Sequence, residues 1–223
     1  MKIISLIGSP HGEKGSTARL LELVLEGARE KGAATETIVL KGDTVKPCLG
    51  CDLCHIKGKC AQKDGFAEIR AKILAADGLV LASPNYIFNV SAQLKAFMDR
   101  CCGAVHLLEF EGKYGAAVVT SGGGDEAAVA EYMSHFLITT GVRPVGAVWA
   151  TMGILPDGCF TEEIRERARR LGHDLVHAWQ TGEVDPAAEQ AMAAFRERMR
   201  QLMLWRRSEW PYEYEYWKSR RGL

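Results

Sequence analysis

"KIISLIGSPHGEKGSTARLLELVLEGARE", residues 2–30, decides the class of fold. Its opening, "KIISLIG" (2–8), is a short apolar run closed by a glycine, which reads as a buried strand. From Ser16 the period changes. Leu20, Leu21, Val24, Leu25 and Ala28 fall on one helical face, and Arg19, Glu22, Glu26 and Arg29 fall on the other. Strand, glycine-bearing loop and amphipathic helix therefore follow one another directly.

The same alternation continues outward. "TETIVL" (35–40), "GLVLAS" (78–83), "YGAAVVTS" (114–121) and "RPVGAVWA" (143–150) each read as a buried strand bounded by Gly, Pro or Ser. Helical patterns occupy 65–76, 91–102, 126–141 and 161–181. Strands alternating with helices imply an α/β fold with a parallel sheet covered on both faces. Five strands with right-handed crossovers fit a doubly wound sheet of order 2-1-3-4-5. Ligands of such sheets sit beyond the carboxyl ends of the strands, here the loops after strands one, three and four.

This body spans 1–182, and 183–223 forms a C-terminal extension. There "EVDPAAEQAMAAFRERMRQLMLW" (183–205) opens with Asp185 as N-cap and Pro186 at the first helical position. Met192, Phe195, Met199 and Leu202 make its apolar stripe, for packing on the body or on a second subunit. "SEWPYEYEYWKSRRGL" (208–223) holds two Trp and three Tyr. So many aromatics call for a protein surface, and docking on a neighbouring protomer is the expectation.

Bulk composition narrows the function. The 28 basic and 28 acidic side chains cancel, so no global field recruits nucleic acid or an anionic membrane. No stretch approaches the roughly 20 apolar residues of a membrane helix. The first apolar run is too short for a signal-peptide core and has no small-residue cleavage site after it. A cytoplasmic protein is expected. In that reducing compartment clustered cysteines are more often metal-binding or catalytic than disulfide-bonded.

"GSPHGEKGSTARLL" (8–21) places glycines and hydroxyls between strand and helix, as an anion cradle requires. It lacks the G-K-[ST] of a P-loop and the G-x-G-x-x-G of a dinucleotide site. A monophosphate pocket is one reading; an ordinary helix cap made by Ser16 or Thr17 is the other. "SPNYIFNVSAQLKAFMDR" (83–100) sets Tyr86 and Phe88 beside loop backbone, where a flat aromatic ligand finds an apolar wall and amide donors. "TSGGGDEA" (120–127) permits close backbone approach from the other side.

"KPCLGCDLCHIKGKC" (46–60) packs Cys48, Cys51, Cys54 and Cys60 into a C-x2-C-x2-C-x5-C pattern. A compact triplet lets consecutive thiolates wrap one face of a cuboidal cluster, as the C-x2-C-x2-C of bacterial ferredoxins does. Tetrahedral zinc usually takes two separated C-x2-C knuckles. A dithiol redox pair needs one C-x-x-C and leaves two cysteines over. His55 lies inside the loop and is expected to face solvent. Cys101, Cys102 and Cys159 are expected to be structural, buried thiols. His173 and His177, four apart on a helix, have no third ligand nearby and suit a surface or packing role.

Residues 1 to about 150 resemble the flavodoxin-like NAD(P)H-dependent FMN reductases through "GSPHGEKGST", "SPNYIFNVSAQLKAFMDR" and "TSGGG". The resemblance implies that Ser9, His11, Ser16 and Thr17 hold the FMN phosphate, with His11 where the family often has Arg. It assigns Pro84, Asn85, Tyr86, Ile87 and Phe88 to the isoalloxazine ring, and Thr120, Ser121 and Gly122 to its far side. The four-cysteine loop, placed between strand two and the next helix, is similar to that of the iron–sulfur flavoprotein branch. There it implies a [4Fe–4S] cluster on Cys48, Cys51, Cys54 and Cys60.

The expected function is an FMN-dependent oxidoreductase passing electrons between FMN and the cluster, with no obligatory catalytic side chain. A cluster-free FMN or quinone reductase and a non-enzymatic one-electron carrier are the alternatives. Implied partners are NAD(P)H or a ferredoxin-type redox protein and a small-molecule electron acceptor. The resemblance also implies a homo-oligomer, dimer or tetramer, in which the flavin of one subunit faces the cluster of another.

Overall fold

The computed structural model describes the whole chain, Met1–Leu223. Five strands, β1 (Lys2–Ile7), β2 (Ala34–Val39), β3 (Gly78–Pro84), β4 (Tyr114–Ser121) and β5 (Arg143–Thr151), form one sheet. Its order is β2-β1-β3-β4-β5, and every neighbouring pair is parallel. The helices are α1 (Ser16–Glu30), α2 (Leu53–Lys57), α3 (Phe66–Leu74), α4 (Ala92–Arg100) and α5 (Cys102–Leu107). They continue with α6 (Glu126–Thr140), α7 (Glu162–Thr181), α8 (Pro186–Trp205) and α9 (Pro211–Arg220).

Side-chain alternation along the strands builds two cores. Ile3, Ile7, Val80, Ala82, Ala116 and Val118 point to one face, where α1 and α7 cover them. Ile4, Leu6, Leu79, Leu81, Ala117 and Val119 point to the other, against α3, α4 and α6. β3 and β4 are buried at every residue, which is why their sequences run apolar without alternation. No helix is long and apolar enough to cross a membrane.

The C-terminal extension folds back on its own chain. Phe195, Met199 and Met203 of α8 and Trp217 of α9 meet Leu107 and Leu108 in a third, smaller core. The Trp217 indole N–H donates to the His106 carbonyl at 3.0 Å, and Arg221 donates to the Leu107 carbonyl at 2.7 Å. Of the two Trp and three Tyr expected to dock on a neighbouring protomer, Trp217 is instead buried within its own chain, and Trp210 packs on His55 of α2; Tyr212 stays exposed beside Gly58.

Candidate functional site

The loops after β1, β3 and β4 meet at the carboxyl edge of the sheet. In the first, His11 precedes a short 3-10 turn, Gly12–Lys14, and Gly15 precedes α1 without offering a capping side chain. The first-turn amides of Ser16, Thr17 and Ala18 donate to no backbone carbonyl, so three N–H groups stay open at the helix N-terminus. Ser9 is buried and its hydroxyl accepts from the His11 amide at 3.3 Å; His11 itself is exposed. Ser16 accepts from Arg19 at 3.1 Å. The Thr17 hydroxyl bonds the Thr120 hydroxyl at 2.6 Å and so ties the first loop to the third.

Pro84 ends β3, and Asn85 crosses to the third loop. Its amide donates to the Thr120 carbonyl at 2.7 Å and its Nδ2 to the Gly124 carbonyl at 2.8 Å. The Asn85 Oδ1 is buried and accepts from nothing. Tyr86 and Asn89 then exchange two main-chain bonds around Ile87 and Phe88, which take φ of 49° and 62°. Left-handed backbone is costly for a β-branched residue. Both side chains face outward: Ile87 is 90% and Phe88 72% exposed, forming an apolar lip beside the cradle.

In the third loop the Ser121 hydroxyl donates to Glu126 and accepts from the Gly124 amide at 2.8 Å. Thr151 donates to the same Glu126 oxygen at 2.6 Å. Burial raises the Glu126 carboxyl pKa, but these two hydroxyl donors outweigh it and hold the group below the usual carboxylate range. Gly122 lies exposed at the loop tip with open space around its Cα.

A second site lies beyond β2. Cys48, Cys51, Cys54 and Cys60 line one cavity of about 70 Å³, joined by His55, Arg100 and Cys102. All seven cysteines of the chain are free thiols. The loop is pinned at both ends by one buried ion pair. Arg100 donates to Asp64 at 2.8 and 3.1 Å and to the Lys46 carbonyl at 3.0 Å, while Asp64 accepts from the Lys46 amide at 2.9 Å. The Arg100 Nε is buried without a partner. Asp52 at φ 57° and Gly58 at φ 70° bracket α2 and turn the chain back on itself.

His55 is buried, 3% exposed, which corrects its expected solvent-facing position. Its Nδ1 lies 2.6 Å from one oxygen of Glu213, and the Nδ1 of His106 lies 2.9 Å from the other. The two imidazoles stack at 4.6 Å, and Trp210 covers both, at 4.6 and 5.0 Å. Because each Nδ1 is engaged by its own carboxylate oxygen, this set is a hydrogen-bonded network rather than an ion cage.

Burial opposes charge on His55, but hydrogen bonds to Cys102, Cys54 and Glu213 prevail and push its pKa up to about 12. The same balance raises His106 to about 9. Burial works to raise Glu213, yet the two imidazoles hold its carboxyl low. Cys102, whose Sγ lies 4.0 Å from the His106 Nε2, drops to about 6 because both histidines donate to it.

Two structural thiols are thereby corrected. Cys102 lines the four-cysteine cavity, and Cys159 is exposed; Cys101 alone is buried in the core. His173 and His177 serve surface pairs with Glu30 and Glu183, at 2.7 and 3.8 Å. Glu213, His106 and Arg100 were missed by sequence reasoning. Arg100 had a signal, since it falls three residues after buried Phe97 on the core face of its helix. Glu213, 158 positions from His55, had none.

The family model "NADPH-dependent FMN reductase" matches residues 1–154. An iron–sulfur flavoprotein of Archaeoglobus fulgidus is 32% identical over 182 residues, 81% of each chain. The chain belongs to the NADPH-dependent FMN reductase family.

Within that family it falls on the iron–sulfur flavoprotein branch. A second relative of that name, from Methanocaldococcus jannaschii, is 36% identical over 79% of this chain and 96% of its own. The fold is shared with the NAD(P)H:quinone oxidoreductase of Methanothermobacter marburgensis, at a TM-score of 0.59 and 22% identity over 79% of this chain and 98% of that one. As a member of the family the protein is a flavin-dependent oxidoreductase, and its flavin is FMN.

Proposed function

We propose that the protein passes electrons between FMN at the sheet edge and a [4Fe–4S] cluster held by Cys48, Cys51, Cys54 and Cys60. NAD(P)H is the proposed electron donor, and a small molecule such as a quinone is the acceptor. Bound there, FMN would supply the conversion of a two-electron donor to single electrons, and a cluster would supply a one-electron relay.

The observation that carries this reading is the convergence of four free cysteines on one cavity, with the unpartnered Arg100 Nε in its wall. A buried N–H without an acceptor is costly, and an anionic thiolate shell supplies one. Zinc fits less well. Tetrahedral zinc usually takes two separated C-x2-C knuckles, whereas Cys48, Cys51 and Cys54 form one compact triplet.

Support for FMN comes from the sheet-edge loops. The open amides of Ser16, Thr17 and Ala18, with the helix dipole behind them, suit a phosphate, and Ser9, His11 and Ser16 surround them. The orphaned Asn85 Oδ1 wants an N–H donor, which the imide of an isoalloxazine ring carries. Pro84, Tyr86, Ile87 and Phe88 would flank one edge of that ring and exclude water from it. Thr120, Ser121 and Gly122 would bring main-chain groups to the opposite edge. Glu126 keeps the third loop in shape through Ser121 and needs no proton exchange to do so.

The test is Cys54→Ala prepared anaerobically. It is expected to retain FMN and lose its iron and sulfide. Full iron content in this variant would overturn the assignment of Cys54 as a ligand.

A further inference from the structure

A second cavity, of about 330 Å³, adjoins the four-cysteine cavity. Small-molecule sites begin at about this volume. Its walls come from α2, α3, α4, α5, α9 and the segment joining α2 to α3, and none comes from the loops after β1, β3 or β4. It is therefore separate from the flavin cradle. Cys54 and Cys60 line both cavities, so a molecule seated in the larger one lies directly against the cysteine loop.

The floor is apolar. Phe66, Ala104 and Leu107 are buried beneath it, and the exposed Tyr212 ring forms one flank. That ring rests on Gly58, where a Cβ would stand 2.2 Å from it. Gly103 puts no side chain between the cavity and Cys54, whose Sγ lies 3.8 Å from where a Cβ would be. The walls, by contrast, are cationic. Four basic residues, Lys59, Lys63, Arg70 and Arg100, face a single carboxylate, Asp64. Arg100 is taken by Asp64 at 2.8 Å, and Arg70 by Glu109 at 2.6 Å. Lys59 and Lys63 are exposed at the mouth and enter no ion pair. An apolar slot with a flat aromatic flank and two unpaired ammonium groups complements a planar apolar molecule that carries negative charge. A concavity of this size takes such a molecule whole, whereas a protein partner would touch only its mouth.

We propose that this cavity binds the electron acceptor, and that the acceptor is a small aromatic quinone bearing a carboxylate or sulfonate. Donor and acceptor then have separate sites, NAD(P)H at the sheet edge and the quinone against Cys54 and Cys60. The exchange balances: NAD(P)H and one proton give NAD(P)⁺, and the quinone takes up two electrons and two protons to become the hydroquinone. The acceptor role rests on the cluster reading given above; the binding site stands without it.

The experiment titrates anthraquinone-2-sulfonate calorimetrically into the full-length holoprotein without oxygen, with iron and FMN measured in every preparation. Wild type is compared with Lys59→Gln/Lys63→Gln, which removes the unpaired charges. Ala67→Leu, on the exposed side of α3, keeps both lysines and fills the cavity. Wild type is expected to bind one equivalent, and saturating NADP⁺ is expected to leave it bound. The lysine pair should weaken binding by about tenfold, as the loss of two exposed charge contacts does. It should raise the KM for the sulfonated quinone in step, with little change in the KM for uncharged duroquinone. Ala67→Leu should raise both. Unchanged binding in both variants, or displacement of the probe by NADP⁺, would overturn the inference and leave the cluster reading intact. So would a wild type that fails to bind the probe, and an acidic ferredoxin bound through the two lysines in its place would assign them to a protein partner. An iron-free wild type would overturn the cluster reading and the acceptor role together.

Discussion

Asn85 joins two loops through a main-chain amide and a side-chain amide, and its remaining oxygen is buried without a donor. Replacing it by alanine removes one tether and the orphan acceptor, a loss of roughly 1–2 kcal/mol on ligand binding. FMN affinity measured by fluorescence titration of the apoprotein should fall by about tenfold, on the conversion of 1.4 kcal/mol per decade; an unchanged affinity would place the ring elsewhere. Glu126 gives a pH signature. Its folded pKa is depressed from about 4.5, so it stabilises the fold above that value, and the contribution is lost as pH falls through the folded pKa. Glu126→Gln should therefore flatten the acid limb of the stability curve below about pH 4.5, with little change in its slope at neutral pH. An acid limb as steep as that of wild type would sink the assignment. Residues such as Asn85 and Tyr86 were legible because a Pro-terminated strand followed by aromatic loop residues is a local pattern. Glu213 was not, because its partners come from two distant segments.

At the scale of elements, the five strands were readable because burial on both faces leaves continuous apolar runs between Gly and Pro stops. The long helices α1 and α7 announced themselves by their apolar faces. The elements that shape the cysteine site did not. α2 and α5 are five and six residues long, too short for a 3.6-residue period to register. α9 alternates aromatic and acidic residues, so it has no simple apolar face, yet it buries Trp217 completely. Trp217→Ala should cost about 3–5 kcal/mol in the third core, as large-to-small core changes do. Limited proteolysis should then cleave first between α8 and α9, whereas a cleavage pattern matching wild type would show that α9 is held by something else.

On the whole molecule, two sites share the carboxyl side of one sheet: an anion cradle with an apolar lip, and a four-thiol cavity bounded by a buried cation and a histidine–glutamate network. The first was legible from loop chemistry and strand order. The second was legible only as a spacing of cysteines, since the walls that make it a cavity come from α4, α5 and α9. The fold brings those walls together by pinning both ends of the loop to Arg100 and closing the C-terminal helix over it. The most direct test is the absorption spectrum of protein purified without oxygen, taken with iron, sulfide and flavin analysis. Flavin bands above a broad brown absorbance, with one FMN and about four iron and four sulfide per chain, are the expected result. A bright yellow, iron-free protein with all four loop thiols reduced would contradict the account.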